Sequence, residues 1–179
     1  MHKLARQRRA ASRARSPRPH LSATHVVRGA VASDVGDIHA LVARHAPSGT
    51  LLPRTLDEIA AAIQDYVVVA DGQGSVMACA ALQEYSPSLG EVSSVVVAPE
   101  AQGQGLGSIA VRAVEAMARR RGIDELFALT LADGFFDSLG YERCAVARYP
   151  EKLARYEQLV RRGVAIIPKS CYRKSPAWG

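Results

Sequence analysis

Residues 95–121 constrain the fold more than any other part of the sequence, because an apolar strand, a glycine-rich turn and a helix follow one another without a break. The strand ends at Pro99, and glycines then stand at every second position from Gly103 to Gly107. Glycine lets the backbone take positive φ and approach a ligand closely. The free amides at the start of a helix carry the positive end of its dipole, so this segment predicts a turn that binds an anion such as a pyrophosphate.

Other glycine-rich turns fit the segment less well. A Walker loop needs a lysine after its last glycine, whereas Gly107 is followed by Ser108 and Ile109. A dinucleotide-binding fingerprint needs G-x-G-x-x-G, but the spacing here is G-x-G-x-G and comes late in the chain, after strands predicted to be antiparallel. A glycine-rich turn that binds no ligand stays open as an alternative.

The pattern of the remaining chain predicts an α/β (α+β) fold in which helices flank a central, mixed and mostly antiparallel sheet. Ser33 is expected to cap the first helix, and Thr55 with Glu58 forms a capping box before the second. The buried face of the helix after the glycine turn is expected to carry Leu106, Ile109, Ala113 and Met117. Strands are predicted over residues 24–30, 66–70, 75–84, 91–98, 126–131 and 141–147, helices over 104–121 and 133–139 and from Pro150, and a final segment over 166–178.

The net charge of +6 is concentrated at one end of the chain. Residues 1–20 hold seven of the 23 basic residues and no acidic one, so the rest of the chain carries 16 basic against 17 acidic residues. We therefore expect two parts: a basic, disordered tail over residues 1–23 and one folded domain over residues 24–179. The tail is interpreted as a solvated leader, with attraction to nucleic acid or an organelle transit peptide as alternatives.

The cysteines and the apolar runs exclude several classes of protein. Cys79, Cys144 and Cys171 are an odd number without a C-x-x-C pair, which favours neither a disulfide framework nor a metal site. No apolar run approaches the roughly 20 residues needed to cross a bilayer. We expect a cytoplasmic protein that holds no metal and has no membrane partner.

The segment from Gln102 to Gly107 resembles the Q/R-x-x-G-x-G/A motif of the GNAT superfamily of acetyltransferases. The predicted order of strands and helices agrees with that family over about 120 residues. The resemblance implies that acetyl-CoA is the co-substrate, that its pyrophosphate lies on the amides of the turn, and that its pantetheine arm lies between splayed strands. The residues so implied in CoA binding are Val95, Val96, Val97, Gln102, Gly103, Gln104, Gly105, Leu106, Gly107 and Ser108.

Further segments resemble the acetyltransferase domain of N-acetylglutamate synthase over roughly residues 26–147. They are Gly49-Thr50-Leu51-Leu52-Pro53-Arg54, Ala78-Cys79-Ala80-Ala81-Leu82, Gly90-Glu91-Val92, Leu126-Phe127-Ala128-Leu129-Thr130 and Phe135-Phe136-Asp137-Ser138-Leu139-Gly140-Tyr141. The amino-acid kinase domain of the long forms of that enzyme is absent, so a short, stand-alone form is expected. The implied reaction is acetylation of the α-amine of L-glutamate, the first step of arginine biosynthesis.

Two residues are candidates for the chemistry. Transfer to an amine needs a base that removes the proton of an ammonium group, and Glu91 begins the strand expected beside the pantetheine. Burial beside a sheet increases the affinity of a carboxylate for a proton, which makes it a better base. The resemblance gives Thr130 the role of the hydroxyl that protonates the leaving thiolate. Phe135 and Phe136 stand where many relatives carry a tyrosine acid, and Tyr141 is expected in the core.

Glutamate presents two carboxylates, which arginines bind well. Arg54 matches a substrate-binding arginine of the family, and Arg173 with Ser175 resembles an Arg-x-Ser pair on its last strand. Residues 152–162, by contrast, are expected to be a solvated helix face.

Two other functions stay open: a GNAT enzyme that acetylates another amine, such as a protein N-terminus, a lysine or a small metabolite, and a CoA- or nucleic-acid-binding module without catalysis. A peptide or polyamine acceptor would favour an acidic groove. The expected partners are L-glutamate and acetyl-CoA, with nucleic acid touched only by the tail and with a monomer or a homodimer as the assembly.

Overall fold

The computed structural model of the protein describes residues 25–48 and 51–175. The predicted basic tail, the first residue of the first predicted strand, Gly49 and Thr50 of the segment before Arg54, and the end of the last predicted segment lie outside these described residues. The expected boundary between tail and domain therefore stays a prediction.

The helices and strands follow the predicted order. The strands are β1 Val26–Gly29, β2 Tyr66–Ala70, β3 Val76–Ser86, β4 Leu89–Val97, β5 Glu125–Thr130, β6 Glu142–Cys144 and β7 Ser170–Lys174. The helices are α1 Val35–His45, α2 Leu56–Ala61, α3 Leu106–Arg120, α4 Asp133–Ser138 and α5 Pro150–Arg161. No helix among the described residues is long and apolar enough to span a bilayer.

All seven strands form one sheet in the order β1-β2-β3-β4-β5-β7-β6. Every neighbouring pair is antiparallel except β4 and β5, which run parallel. The expected α/β fold with a mixed, mostly antiparallel sheet is confirmed.

The parallel pair β4–β5 is the part of the sheet that creates the site. Its registered pairing covers only Leu89–Glu91 against Glu125–Phe127, and beyond that point the two strands separate. Gly90 permits the tight end of this pair, since a Cβ there would lie 2.8 Å from Leu82 Cδ1 and 3.1 Å from Leu126 Cδ2. The remainder of β4 therefore has its β5-facing edge open, and Glu91 is the last paired residue.

The helix α3 packs against β2, β3 and β4 through a face that differs from the predicted one. Leu106 and Met117 are buried as expected, but Ile109 is 41% exposed. The buried face instead carries Gly107, Ala110, Val111, Val114 and Ala118. Small residues at helical spacing let the helix approach the sheet closely, so they mark the packed face better than the larger Ile109 does.

The start of α1 also differs from the prediction. Residues 32–34 form a short 3-10 turn, and the helix begins at Val35 without a cap from Ser33. The carboxylate of Asp34 instead accepts the backbone N–H of Val31 and two bonds from the guanidinium of Arg28. The capping box of α2 is present as predicted, with Thr55 Oγ1 accepting from Glu58 N at 3.1 Å and Glu58 Oε2 accepting from Thr55 N at 2.8 Å.

Candidate active site

A cavity of about 400 Å³ lies where β4 and β5 separate. Residues 91–97 of β4 form one wall, and residues 129–132, at the end of β5 and just after it, form the other. Apolar side chains from the loop before α2 and from α4 complete these walls, among them Leu51 and Phe135, and α5 lies at the end near Glu91. A long, thin and largely apolar ligand fits such a slot, since most of its lining is apolar.

A β-bulge in β4 shapes the wall of this cavity. Ser94 has φ +52°, a left-handed conformation that is uncommon outside glycine, and the β3–β4 register shifts between Cys79 and Ala81. After the bulge, Val95 and Val97 are partly exposed toward the cavity, whereas Val96 is buried in the core. Of the three valines that we expect to contact CoA, Val96 can therefore contribute only its backbone.

The glycine-rich turn stands at one end of the cavity, which it reaches through Gly107. Gly103 and Gly105 have φ of +76° and +78°, and Gly105 is the residue from which α3 starts. Residues 102–105 are exposed, and a Cβ on Gly103 or Gly105 would meet no atom within 4 Å. The first amides of a helix have no acceptor within the helix, so those of the first turn of α3 are free for an anion.

The other predicted residues of this turn differ in how deeply they are buried. Gln102 and Gln104 are exposed, and Ser108 is partly exposed on the first turn of α3. Leu106 is 2% exposed and anchors the helix start in the core, so its part in anion binding is limited to its amide. This geometry leaves backbone amides as the groups that would hold a phosphate, and the phosphate site stays a prediction.

Glu91 is buried at the closed end of the cavity and forms an ion pair that the sequence did not predict. Its two carboxylate oxygens each lie 2.8 Å from Nζ of Lys152, and Oε2 also accepts a hydrogen bond of 2.8 Å from the Tyr85 hydroxyl. Glu91 and Lys152 are only 4% and 3% exposed. Burial lowers the pKa of Lys152, and the charge of Glu91 partly offsets that effect.

The burial of Lys152 corrects the expectation that residues 152–162 are a solvated helix face. Most of α5 is indeed exposed, but Lys152 points into the cavity, and Tyr156 one turn later lines it. The sequence did carry a signal. Lys152 is the third residue of α5, and a cation in the first turn of a helix is disfavoured by the helix dipole unless something compensates it.

Thr130 lies at the C-terminal end of β5 and lines the cavity opposite β4. Its Oγ1 accepts a hydrogen bond of 2.9 Å from the amide of Ala132, which leaves the hydroxyl proton available for donation. Phe135 and Phe136 line the cavity but have no proton to give. Tyr141 is 3% exposed in the core, as expected.

Three cationic side chains line the cavity: Arg54, Lys152 and Lys169. Arg54 donates from Nη2 to Oε1 of the neutral Gln83 at 3.1 Å, which leaves most of its donors available. Lys169 precedes β7, and burial together with the nearby charge of Lys152 lowers its pKa. The structure thus places Arg54 and Glu91 in the lining of the same cavity together with the two lysines, which sequence reasoning missed.

Arg173 and Ser175 are not brought to this cavity. Arg173 lies opposite Phe127 across β5–β7, and its guanidinium pairs with Glu125 at 3.6 Å and Glu142 at 3.2 Å. Ser175 Oγ bonds to Glu125 as well. We correct the sequence-based placement of Arg173 and Ser175, because carboxylates of the neighbouring strands β5 and β6 hold these residues at β7 and just after it.

The cysteines offer no alternative chemistry among the described residues. All three are free thiols, and burial raises the pKa of Cys79 to about 12. No group of three or more His, Cys, Asp or Glu side chains in the described part of the chain is arranged to hold a metal ion.

The chain was compared with known families and proteins. The profile of the acetyltransferase (GNAT) family matches residues 39–141. An uncharacterized N-acetyltransferase of Chlorobaculum tepidum is 34% identical over 72% of this chain and 83% of that protein. An amino-acid acetyltransferase of Ralstonia nicotianae is 32% identical over 80% of this chain and 32% of that protein.

Among solved structures, N-acetylglutamate synthase of Neisseria gonorrhoeae, complexed with coenzyme A and N-acetyl-glutamate, matches with a TM-score of 0.73 and 26% identity. The match covers 86% of this chain and 35% of that one. This chain therefore spans about a third of the length of the synthase and of the amino-acid acetyltransferase that it matches.

Proposed function

Because the chain belongs to the GNAT family of acetyltransferases, we propose that it moves the acetyl group of acetyl-CoA to the α-amine of L-glutamate. The family membership and the CoA complex of the synthase establish an acetyl-CoA-dependent N-acetyltransferase. The acceptor is our proposal. In this role the protein would act in the cytoplasm, in the first step of arginine biosynthesis.

The observation that carries the proposal is the charge of the cavity. Three cations, Arg54, Lys152 and Lys169, surround a single carboxylate, Glu91, so the acceptor end of the cavity is positive overall. An ammonium group alone would be repelled by such a lining, whereas an amine with two carboxylates carries a net negative charge and offsets part of it. The resemblance to amino-acid acetyltransferases and the N-acetyl-glutamate complex of the synthase support the same acceptor.

The proposed chemistry is direct transfer without a covalent enzyme intermediate. Glu91 takes the proton from the acceptor ammonium, the freed lone pair attacks the thioester carbonyl carbon, and the C–S bond breaks. A backbone amide near Val95, on the open edge of β4, would stabilise the developing oxyanion. Thr130, on the facing wall, would protonate the leaving thiolate and take up the second proton that the nitrogen loses as the amide forms.

Another acceptor is the main alternative, since the Chlorobaculum tepidum relative matches over most of both chains and carries no stated substrate. A lysine side chain or a polyamine would bring further positive charge to a cavity already lined by three cations. Among other acceptors, an acidic amine is therefore favoured over a basic one.

The test is a substrate screen. The purified protein is incubated with acetyl-CoA and, separately, with free amino acids, lysine-containing and N-terminal peptides and polyamines, and the released thiol is measured. We expect L-glutamate to give the highest kcat/KM, with N-acetylglutamate identified by mass spectrometry. Faster turnover of a basic or neutral amine than of L-glutamate would overturn the proposed acceptor and leave the acetyltransferase assignment intact.

A further inference from the structure

The carboxylate of Glu91 is already engaged before any acceptor arrives. Lys152 Nζ lies 2.8 Å from both of its oxygens, and the Tyr85 hydroxyl donates to one of them. In this state the ammonium of Lys152 occupies the position beside the Glu91 carboxylate that the ammonium of the acceptor would need. Some event must therefore separate Glu91 from Lys152 before Glu91 can accept a proton.

Lys152 itself is held in an unfavourable place. It is 3% exposed, and it lies in the first turn of α5, where the helix dipole opposes a positive charge. Its ammonium also lies 4.8 Å from the centre of the Tyr156 ring, which offers a second attractive surface for a cation. The side chain borders the cavity, so an anionic ligand there can compete with Glu91 for it.

An acidic amine supplies both charges needed for an exchange of partners. Its carboxylate can take the ammonium of Lys152, while its own ammonium takes the carboxylate of Glu91. One buried ion pair exists before the exchange and two exist afterwards, so no buried charge is left unpaired. A buried charge without a partner is strongly destabilising, which makes a simple withdrawal of Lys152 unfavourable.

We propose that Lys152 is a specificity-determining residue that releases Glu91 as a base only when an acceptor carboxylate draws its ammonium away. The inference rests on the proposed acetylation of an acidic amine and adds to it how the enzyme rejects amines without a carboxylate. After the exchange, one proton passes from the acceptor nitrogen to Glu91, the C–N bond forms and the C–S bond breaks, and the second proton of the nitrogen reaches the leaving thiolate through Thr130. An amine without a carboxylate leaves Lys152 paired with Glu91, so its kcat is lower in addition to its KM being higher.

Charged and titratable groups surround the ion pair of Glu91 and Lys152. They come from the loop before α2, from β3, from α5, from β7 and from the segment leading into β7. These groups are Arg54, Tyr85, Arg155, Tyr156, Lys169 and Cys171. Three of them are cations, so Glu91 is the anion that Lys152 meets within this set.

The first experiment measures binding and needs no turnover. Glutarate, a dicarboxylate without an amine, is titrated into the wild type, Glu91→Gln and Lys152→Met by calorimetry at neutral pH. Glu91→Gln removes the competitor for the ammonium, so glutarate should bind about tenfold more tightly than to the wild type. Lys152→Met should bind it more weakly than the wild type. Equal or weaker binding by Glu91→Gln would overturn the proposal.

The second experiment measures kcat and KM for L-glutamate and for its dimethyl ester, which keeps the amine and has no carboxylate. Lys152→Met should lower kcat for glutamate by about 10- to 100-fold and leave kcat for the ester unchanged or higher, because Glu91 is no longer occupied. The acidic limb of its kcat/KM profile should move to higher pH, since a buried carboxylate without a counter-charge favours its protonated form. Lys152→Arg should recover part of the glutamate activity.

Equal losses on both acceptors, with an unmoved pH profile, would make Lys152 a structural residue. Lys174→Met is the matched control, since it removes a lysine that pairs with the buried carboxylate of Glu115 at 2.9 Å outside the cavity, and it should leave the ratio of the two kcat values unchanged. A failure of the proposed acceptor would be seen as missing N-acetylglutamate in the substrate screen. A failure of the present inference would be seen in the order of the three glutarate affinities, whichever acceptor is found.

Discussion

Asp34 and Glu91 are buried carboxylates that each hold a cation, and they do so in different ways. Asp34 is 5% exposed and binds Arg28 through two hydrogen bonds of 2.6 and 2.9 Å, with the Val31 amide as a third donor. Glu91 is 4% exposed and binds Lys152 and Tyr85. The partners of Asp34 lie within six residues of it, whereas Lys152 lies 61 residues from Glu91.

The difference separates a structural ion pair from one suited to chemistry. Asp34 has a planar guanidinium and a backbone amide as fixed partners, it does not line the cavity, and it fastens the turn between β1 and α1. Glu91 has a flexible lysine as its partner and borders a cavity large enough for a ligand. Burial and pairing alone therefore do not identify a functional carboxylate; access to an exchangeable partner does.

The largest expected effect is on Glu91. Glu91→Gln keeps the shape of the side chain and removes the proton acceptor, so kcat at neutral pH should fall by about 10²- to 10⁴-fold. Binding of acetyl-CoA should remain, because the glycine-rich turn is unchanged. Steady-state kinetics and calorimetry on the same preparation measure both quantities. A near-normal kcat would make the Glu91 pair structural, like that of Asp34.

The next effect concerns Arg54, a cavity cation whose hydrogen bond goes to the neutral Gln83. Arg54→Ala should raise KM for L-glutamate while the affinity for acetyl-CoA stays unchanged. Loss of a desolvated ion pair costs about 2–5 kcal/mol. Because the Arg54 side chain is partly exposed, we expect the lower end of this range, which corresponds to a rise in KM of roughly 30-fold. Equal losses toward both substrates would instead indicate misfolding or a different acceptor site.

A smaller effect is expected at the glycine-rich turn. Gly105→Val forces a β-branched residue to φ +78° and blocks the approach of a phosphate to the amides, so the affinity for CoA should fall about tenfold. Gly74 is a matched control, since it has φ +89°, also has open space around it, and lies in the β2–β3 hairpin away from the cavity. Gly74→Val should cost similar stability and leave CoA binding intact. Equal affinities for CoA in the two variants would refute the phosphate-binding role.

The smallest effect on activity is expected for the ion pair of Asp34 and Arg28. Asp34→Asn should lower the free energy of unfolding by about 1–3 kcal/mol and leave kcat and KM unchanged below the melting temperature. The hydrogen bond from Arg28 lowers the pKa of Asp34, so its contribution is present above the unfolded value of about 3.9 and disappears as the pH falls through the lower folded value. Urea unfolding at pH 7 and at pH 3 should show a difference from the wild type that shrinks in acid. A large loss of kcat would remove the distinction between the two pairs.

Local sequence signals predicted the framework of this fold well. The strand Tyr66–Ala70 and the capping box at Thr55 depend on neighbouring residues alone, and both were found as predicted. The glycine-rich turn and the start of α3 also follow from a short segment. The order of these elements along the chain does not give the whole order of the sheet, because β7 lies between β5 and β6.

The composition of the site was harder to predict because it depends on long-range contacts. Lys152 looked like a surface residue, since its burial is decided by Glu91 in a strand far away in sequence. Arg173 matched a family position but pairs with Glu125 and Glu142, which only the sheet topology reveals. Strand pattern pointed to Glu91 and the family resemblance to Arg54, but the hydrogen-bond partners of these two side chains could be seen only in the folded chain.

The most direct test of a base at Glu91 is the pH dependence of kcat, measured for the wild type and Glu91→Gln with both substrates saturating. An amine that loses its proton to solvent no longer needs a base. We therefore predict that Glu91→Gln is slowest relative to the wild type near neutral pH. The difference between the two kcat values should decrease steadily as the pH rises toward the pKa of the acceptor amine. A ratio of the two rates that stays constant over this range would contradict the account, because Glu91 would then not be the group that removes the proton.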